Sequence, residues 1–170
     1  MWTLVNLGRV ADIRKDYEHA RAYLEQAERY RTAAPGMMAK DPNGPGAVKF
    51  LARFLAKTLV NLGDHAAGAV RADELARVEK PDGADNAFNA GCYLARCVGL
   101  AVKDATLPED RRIARADEYA ARAVAHLKTA ATRGFANRKA FREDADLTPL
   151  HGRDDYKQLL RDLEAKVPSK

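Results

Sequence analysis

The side chains best suited to nucleophilic or metal chemistry in this sequence are Cys92 and Cys97 with four histidines, His19, His65, His126 and His151. Zinc sites on helices draw on ligands one turn apart, and no histidine here stands four residues from another or from a cysteine. The histidines therefore read as surface or turn residues. The cysteines are five residues apart, which on a helix turns them about 140° from each other, so they cannot pair there. A thiol such as Cys92, with no base in sight, reads as a small packing or groove-lining residue. Ser169 is the only serine, and no Cys-His-Asp or Cys-His-Asn arrangement is legible, so no activated nucleophile is expected. Asp144-x-Asp146 lacks the glycine and the distal glutamate of a calcium loop and reads as a helix cap. The expectation is a chain that is not an enzyme, with no catalytic group, metal or cofactor.

Without such groups, function must rest on surfaces and on the elements that hold them. With 46% hydrophobic and 31% charged residues in 170, the chain can bury an ordinary core without disulfides or a structural metal. Aromatics are scarce at 7% and alanine is abundant, which favours closely packed helices over a sheet. The net charge of +5 comes from 29 basic and 24 acidic residues interspersed along the chain, a solvated mixed-charge surface rather than the clustered footprint of a nucleic-acid reader. Only Arg111-Arg112 with Arg115 hints at a basic run. There is no CxxC, no signal peptide and no apolar run near the ~20 residues of a membrane span, so a reducing, cytoplasmic setting without a membrane partner is expected.

Apolar residues recur at helical spacing, and the pattern repeats. Leu4, Leu7 and Ala11 with Gly8 make a first helix from Trp2 to Ile13, and Asp16 caps a second one carrying Ala20, Leu24 and Ala27. Residues 33–46 hold three prolines and three glycines and read as a loop. Leu55-Ala56-x2-Leu59, the turn Gly63-Asp64 and Gly68-x3-Ala72 then reproduce the first pair at an offset of 48 residues. Ala90-Gly91-x2-Leu94 follows a further 35 residues on. That third helix overruns to Val102, and Thr106-Leu-Pro-Glu109 reads as a capping box opening its partner, which Gly134 stops. The spacing predicts an all-α fold of helical hairpins over about 1–32, 47–80 and 84–134, with residues 136–170 as a polar terminal cap.

The spacing L-x2-L-G-x2-A followed by A-x3-L resembles the tetratricopeptide signature. A more specific likeness lies in Gly63-Asp-His-Ala-Ala67, Asp85 to Cys97, Tyr119-Ala-Ala-Arg-Ala-Val124, Gly134-Phe135, Asp146-Leu-Thr-Pro-Leu150 and Asp155-Tyr-Lys-Gln-Leu-Leu160. Together these resemble the C-terminal repeat region of planctomycete-type bacterial serine/threonine protein kinases, over roughly residues 48–166. The resemblance implies an α-solenoid of about three tetratricopeptide-like hairpins serving protein interaction. The kinase itself does not carry over, because the Gly-rich loop, the V-A-I-K lysine, H-R-D and D-F-G are all missing, and His151-Gly-Arg-Asp154 is not a catalytic loop.

Within such hairpins the small residues Gly8, Ala20, Ala56, Gly68, Gly91 and Ala123 are expected to be packing positions that let helices approach closely. The opposite face of each first helix would line a concave groove: Val5, Arg9 and Asp12, then Arg53, Lys57 and Asn61, then Phe88, Cys92 and Arg96. Four cations there face one acid, which favours an acidic peptide or protein segment as partner, with Phe88 as an apolar contact. The other readings are a helical-repeat nucleic-acid-binding protein, and a regulatory fragment whose enzymatic domain lies on another part of the gene.

Overall fold

The computed structural model describes residues 1–33, 36, 44–78 and 82–165, and among these every element is helical, with no strand. The helices are α1 (Trp2–Ile13), α2 (Tyr17–Ala33), α3 (Gly44–Asn61), α4 (His65–Arg77), α5 (Gly83–Lys103), α6 (Glu109–Thr132), α7 (Ala140–Glu143) and α8 (Asp154–Ala165). A 3-10 turn, Ala145–Leu150, joins the last two.

The hairpin turns come from local chemistry repeated at the offset of 48. At the end of α1 the Asp16 amide donates to the Ala11 carbonyl with Lys15 at φ +60°, and at the end of α3 the Asp64 amide donates to Leu59 with Gly63 at φ +84°. Each is a left-handed helix stop that satisfies the last carbonyls. The same aspartates open the next helices, Asp16 accepting from the His19 amide at 3.3 Å and Asp64 from the Ala67 amide at 3.0 Å. The first turn of α6 is built differently from the expected capping box. Pro108 precedes the helix without a side-chain cap, and the Thr106 hydroxyl and amide turn back to Asp104 Oδ1 at 2.6 and 3.0 Å. Helix α3 also begins earlier than expected, at Gly44, since proline in a first turn lacks only an N–H that would have no partner there. The rest of the expected 33–46 loop lies largely outside the described residues.

Each hairpin packs internally, α1 on α2, α3 on α4 and α5 on α6. Across hairpins α2 packs on α3 and α4 on α5, while α1, α3 and α5 also touch in succession. Helix α3 is apolar on two sides for this reason. Leu51 and Leu55 join Val5, Leu24 and Ala27, whereas Ala56 and Val60 join the larger core of α4, α5 and α6. The small residues sit where helices cross. A Cβ on Gly8 would lie 2.6 Å from Leu24 Cγ and 3.3 Å from the Ala20 carbonyl oxygen, and one on Gly91 would lie 2.6 Å from Leu127 Cγ and 3.2 Å from the Ala123 oxygen. The middle hairpin balances size the other way, with alanines at 56 and 72 and with Gly68 against Val60, where an added Cβ would lie 2.8 Å from Val60 Cγ2. One residue of the expected apolar stripe, Leu7, is 42% exposed, with Val10 and Ile13 beside it at 40% and 66%.

The last elements close the far end. The 3-10 turn lies against α5, and α8 lies against α6. Asp144 accepts from the Asp146 amide at 3.0 Å, so the Asp-x-Asp pair caps this turn. Phe141, Leu147, Leu150 and Tyr156 are fully buried, and the Tyr156 hydroxyl donates to the Phe141 carbonyl.

Candidate interaction surface

The residues expected to line a groove separate into those the fold buries, those it pairs and one it leaves open. Val5 is core, packed among Leu24, Leu51 and Leu55. Phe88 stacks on Phe135 at 4.1 Å between ring centres and meets Phe141 edge-on at 5.2 Å. Buried Cys92 places its Sγ 3.9 Å from Asp144 Oδ2. For Phe88 and Cys92 this corrects the sequence reading, whereas Val5, though core, also lines the cavity described below. The chain's own cap docks on the third hairpin, because Phe135, Phe141 and Leu147 are too apolar to stand in water and the Phe88 face is where they find cover.

The middle of the wall is an ordered polar network. Lys57 Nζ reaches Asp12 Oδ2 at 2.5 Å, with the Asp12 carboxylate almost wholly buried, while Oδ1 has no hydrogen-bond partner among the described residues. Burial pushes the Tyr93 phenol up, and the Arg53 guanidinium beside it opposes the shift. Arg96 donates to Asn61 Oδ1 at 2.6 Å and lies 3.8 Å from Asp146 Oδ1. Burial raises the Asp146 carboxyl, with Arg96 working against it and Asp144 adding to it. The expected balance of four cations against one acid is therefore altered by two carboxylates from the cap.

Arg9 alone of the expected cations is exposed with no ion pair among the described residues. It lines an open cavity of about 150 Å³ with Trp2, Val5, Asn6, Phe50 and Phe54. Trp2 and Phe50 stand 5.6 Å apart between ring centres, and Phe50 stacks on Phe54 at 6.1 Å. All three rings are half-buried, so α1 and α3 present an aromatic wall edged by a cation. Sequence reading missed these rings, though the signal was present. Trp2 and Phe50 are related by the same offset of 48 residues and stand one turn before Val5 and Arg53.

A second polar cluster, also unforeseen, joins α4 to α6. His65 is buried rather than a surface histidine, its Nε2 3.0 Å from Asp104 Oδ2 and its Nδ1 3.0 Å from the Tyr119 hydroxyl. A carboxylate only accepts, so Nε2 donates to Asp104, while Nδ1 and the Tyr119 hydroxyl share the second hydrogen bond. The Thr106 hydroxyl, with His65, holds the Asp104 carboxyl down to about 2. Burial raises the Tyr119 phenol. Tyr119 is sealed in the core, and through it the cluster ties α4 to α6. Burial likewise raises both thiols, that of Cys97 to about 12, which makes them poor nucleophiles.

Among the described residues no cluster of histidine, cysteine and carboxylates could hold a metal ion, and no helix is long and apolar enough to cross a membrane. Compared with known proteins, the chain matches no family model, and neither a curated protein nor a solved structure shows significant similarity to it.

Proposed function

We propose that the chain is a tetratricopeptide-like α-solenoid of three hairpins with a C-terminal cap, working as a protein-interaction module that binds a peptide or protein segment across α1 and α3. The observation that carries this reading is the Trp2, Phe50 and Phe54 wall around an open cavity with Arg9 at its edge. Rigid aromatic rings supply contact area at small entropic cost, and a neighbouring cation selects among apolar segments for those bearing carboxylates. The preferred ligand is thus a segment with one apolar anchor flanked by Asp or Glu. It binds the first two hairpins only, since the cap covers the third. The sequence resemblance supports placing such a module as the regulatory or targeting part of a bacterial serine/threonine kinase system, with the kinase outside these residues.

The test is an array of acidic peptides each carrying one Leu or Phe, probed with wild type, Arg9→Glu and Phe54→Ala. The reading expects peptides held by wild type and released by both variants, with circular dichroism unchanged in Arg9→Glu. Peptides retained equally by all three proteins, or none retained by wild type, would refute it.

A further inference from the structure

The polar groups around the aromatic cavity say what kind of backbone can lie on it. Asn6 and Arg9 are exposed and Trp2 is half-buried, and none of these three side chains has a hydrogen-bond partner among the described residues. The guanidinium and the indole N–H only donate, the Asn6 amide can do both, and no carboxylate lines the cavity. A ligand that satisfies these groups must bring acceptors and few donors. Rings around a cavity also suit a cationic guest, but here Arg9 stands at the edge and Lys49 Nζ lies over the Phe50 ring at 4.6 Å, so a further positive charge is repelled.

The same requirement sorts peptide conformations. A helical ligand keeps its carbonyls in its own hydrogen bonds, and a strand of ordinary residues brings one N–H for every carbonyl. A polyproline II segment leaves its carbonyls unbonded, and each proline in it removes an N–H. The spacing agrees. Trp2, Asn6 and Arg9 follow one another at four and three residues on one face of α1, a row about 10 Å long. One polyproline II turn takes three residues and covers about 9 Å, so carbonyls of like orientation recur at the length of that row. The rings supply the apolar half of the contact, with Phe50 and Phe54 within 16° of parallel and Trp2 at 43° to Phe50. Aromatic grooves of this kind take proline rings, and the stiffness of the segment lowers the entropy lost on binding.

We infer that the segment seated on this wall contains proline and binds as a polyproline II helix, with Asn6 donating to its backbone carbonyls and Arg9 meeting the acidic residue beside it. This rests on the reading of the wall as the binding surface and names the composition and conformation of what it holds.

The test titrates Trp2 fluorescence with two short peptides that share one leucine anchor and the same flanking aspartates, one with prolines on both sides of the leucine and one with alanines there. The inference expects the proline peptide to bind about tenfold tighter. Asn6→Ala should weaken the proline peptide about threefold to tenfold, with circular dichroism unchanged because Asn6 is exposed. An alanine peptide held as tightly as the proline peptide, or a proline peptide indifferent to Asn6→Ala, overturns the inference. Its failure is separable from that of the wall itself. An alanine peptide that wild type holds at least as well and Arg9→Glu releases keeps the wall as the binding surface and removes the polyproline ligand, whereas neither peptide held by wild type removes both.

Discussion

Replacing Gly91 by alanine sets two effects of similar size against each other, and the packing geometry decides the sign. A mid-helix glycine costs roughly 1 kcal/mol relative to alanine, so propensity alone makes Gly91→Ala stabilising by about that much. The added Cβ, however, lies 2.6 Å from Leu127 Cγ and 3.2 Å from the Ala123 carbonyl oxygen. Ordinary contacts between carbons begin near ~3.5 Å, so about 1 Å must be opened against a side chain with no exposed surface and a backbone that cannot yield. Overpacking of this kind costs about 1–3 kcal/mol, which leaves a net loss of about 1 kcal/mol, and Gly91→Leu loses more. Gly99 in the same helix is the control, because a Cβ there meets nothing within 4 Å. Gly99→Ala should gain about 0.5–1 kcal/mol. Urea unfolding of both variants, of Leu127→Ala and of Gly91→Ala with Leu127→Ala measures the terms. The double variant recreates the alanine pair found at 56 and 72, so it should be more stable than the two single losses added together, by about 1 kcal/mol or more. Equal gains at 91 and 99, or strictly additive losses at 91 and 127, would refute the close helix contact.

Three further outcomes follow from local chemistry. Lys15 occupies at φ +60° the place that Gly63 fills at φ +84°, so Lys15→Gly should raise stability by about 0.5–1 kcal/mol in the same urea assay, whereas a loss would mean that the Lys15 side chain is needed there. The Asp104 carboxyl is depressed from its ordinary value near 3.8 to about 2 by Thr106 and His65, so the stabilisation is present above pH 4 and disappears as the pH falls toward 2. Wild type should accordingly be more stable than Asp104→Asn at pH 6 and lose that advantage by pH 2, and a difference constant across this window would rule the linkage out. Cys92 and Cys97 should resist iodoacetamide in the native protein and react at once in urea, as read by mass spectrometry.

The hairpin turns were legible because they rest on local rules. Asp16, Gly63, Asp64 and Gly134 each act through their own backbone or the next turn of helix, and a motif of that kind survives without knowledge of the partners. The small-residue positions were legible for a related reason, since a glycine in mid-helix has few uses besides close approach. The groove was harder to read. Helical spacing gives the face a residue occupies but not what lies over that face, and Phe88 and Cys92 are covered by a segment some 45 to 55 residues further along the chain. Leu7 failed for the converse reason: its stripe is apolar, but among the described residues no helix covers α1 as α2 covers α3. His65 and Tyr119 meet across 54 residues, a distance no periodicity bridges. The Trp2, Phe50 and Phe54 wall could have been found, since the offset of 48 already aligned Trp2 with Phe50.

The central claim is that the aromatic wall of α1 and α3 is the binding surface. Trp2 is the only tryptophan in the chain, and it lines the cavity itself. The most direct measurement is amide and indole chemical-shift mapping during titration with an acidic peptide bearing one apolar anchor, followed in parallel by Trp2 fluorescence. The account predicts saturable shifts centred on the Trp2 indole, Asn6, Arg9, Phe50 and Phe54, with a matching fluorescence change that Arg9→Glu abolishes. Shifts centred on α5 and the cap, with the Trp2 signals unmoved, would contradict it.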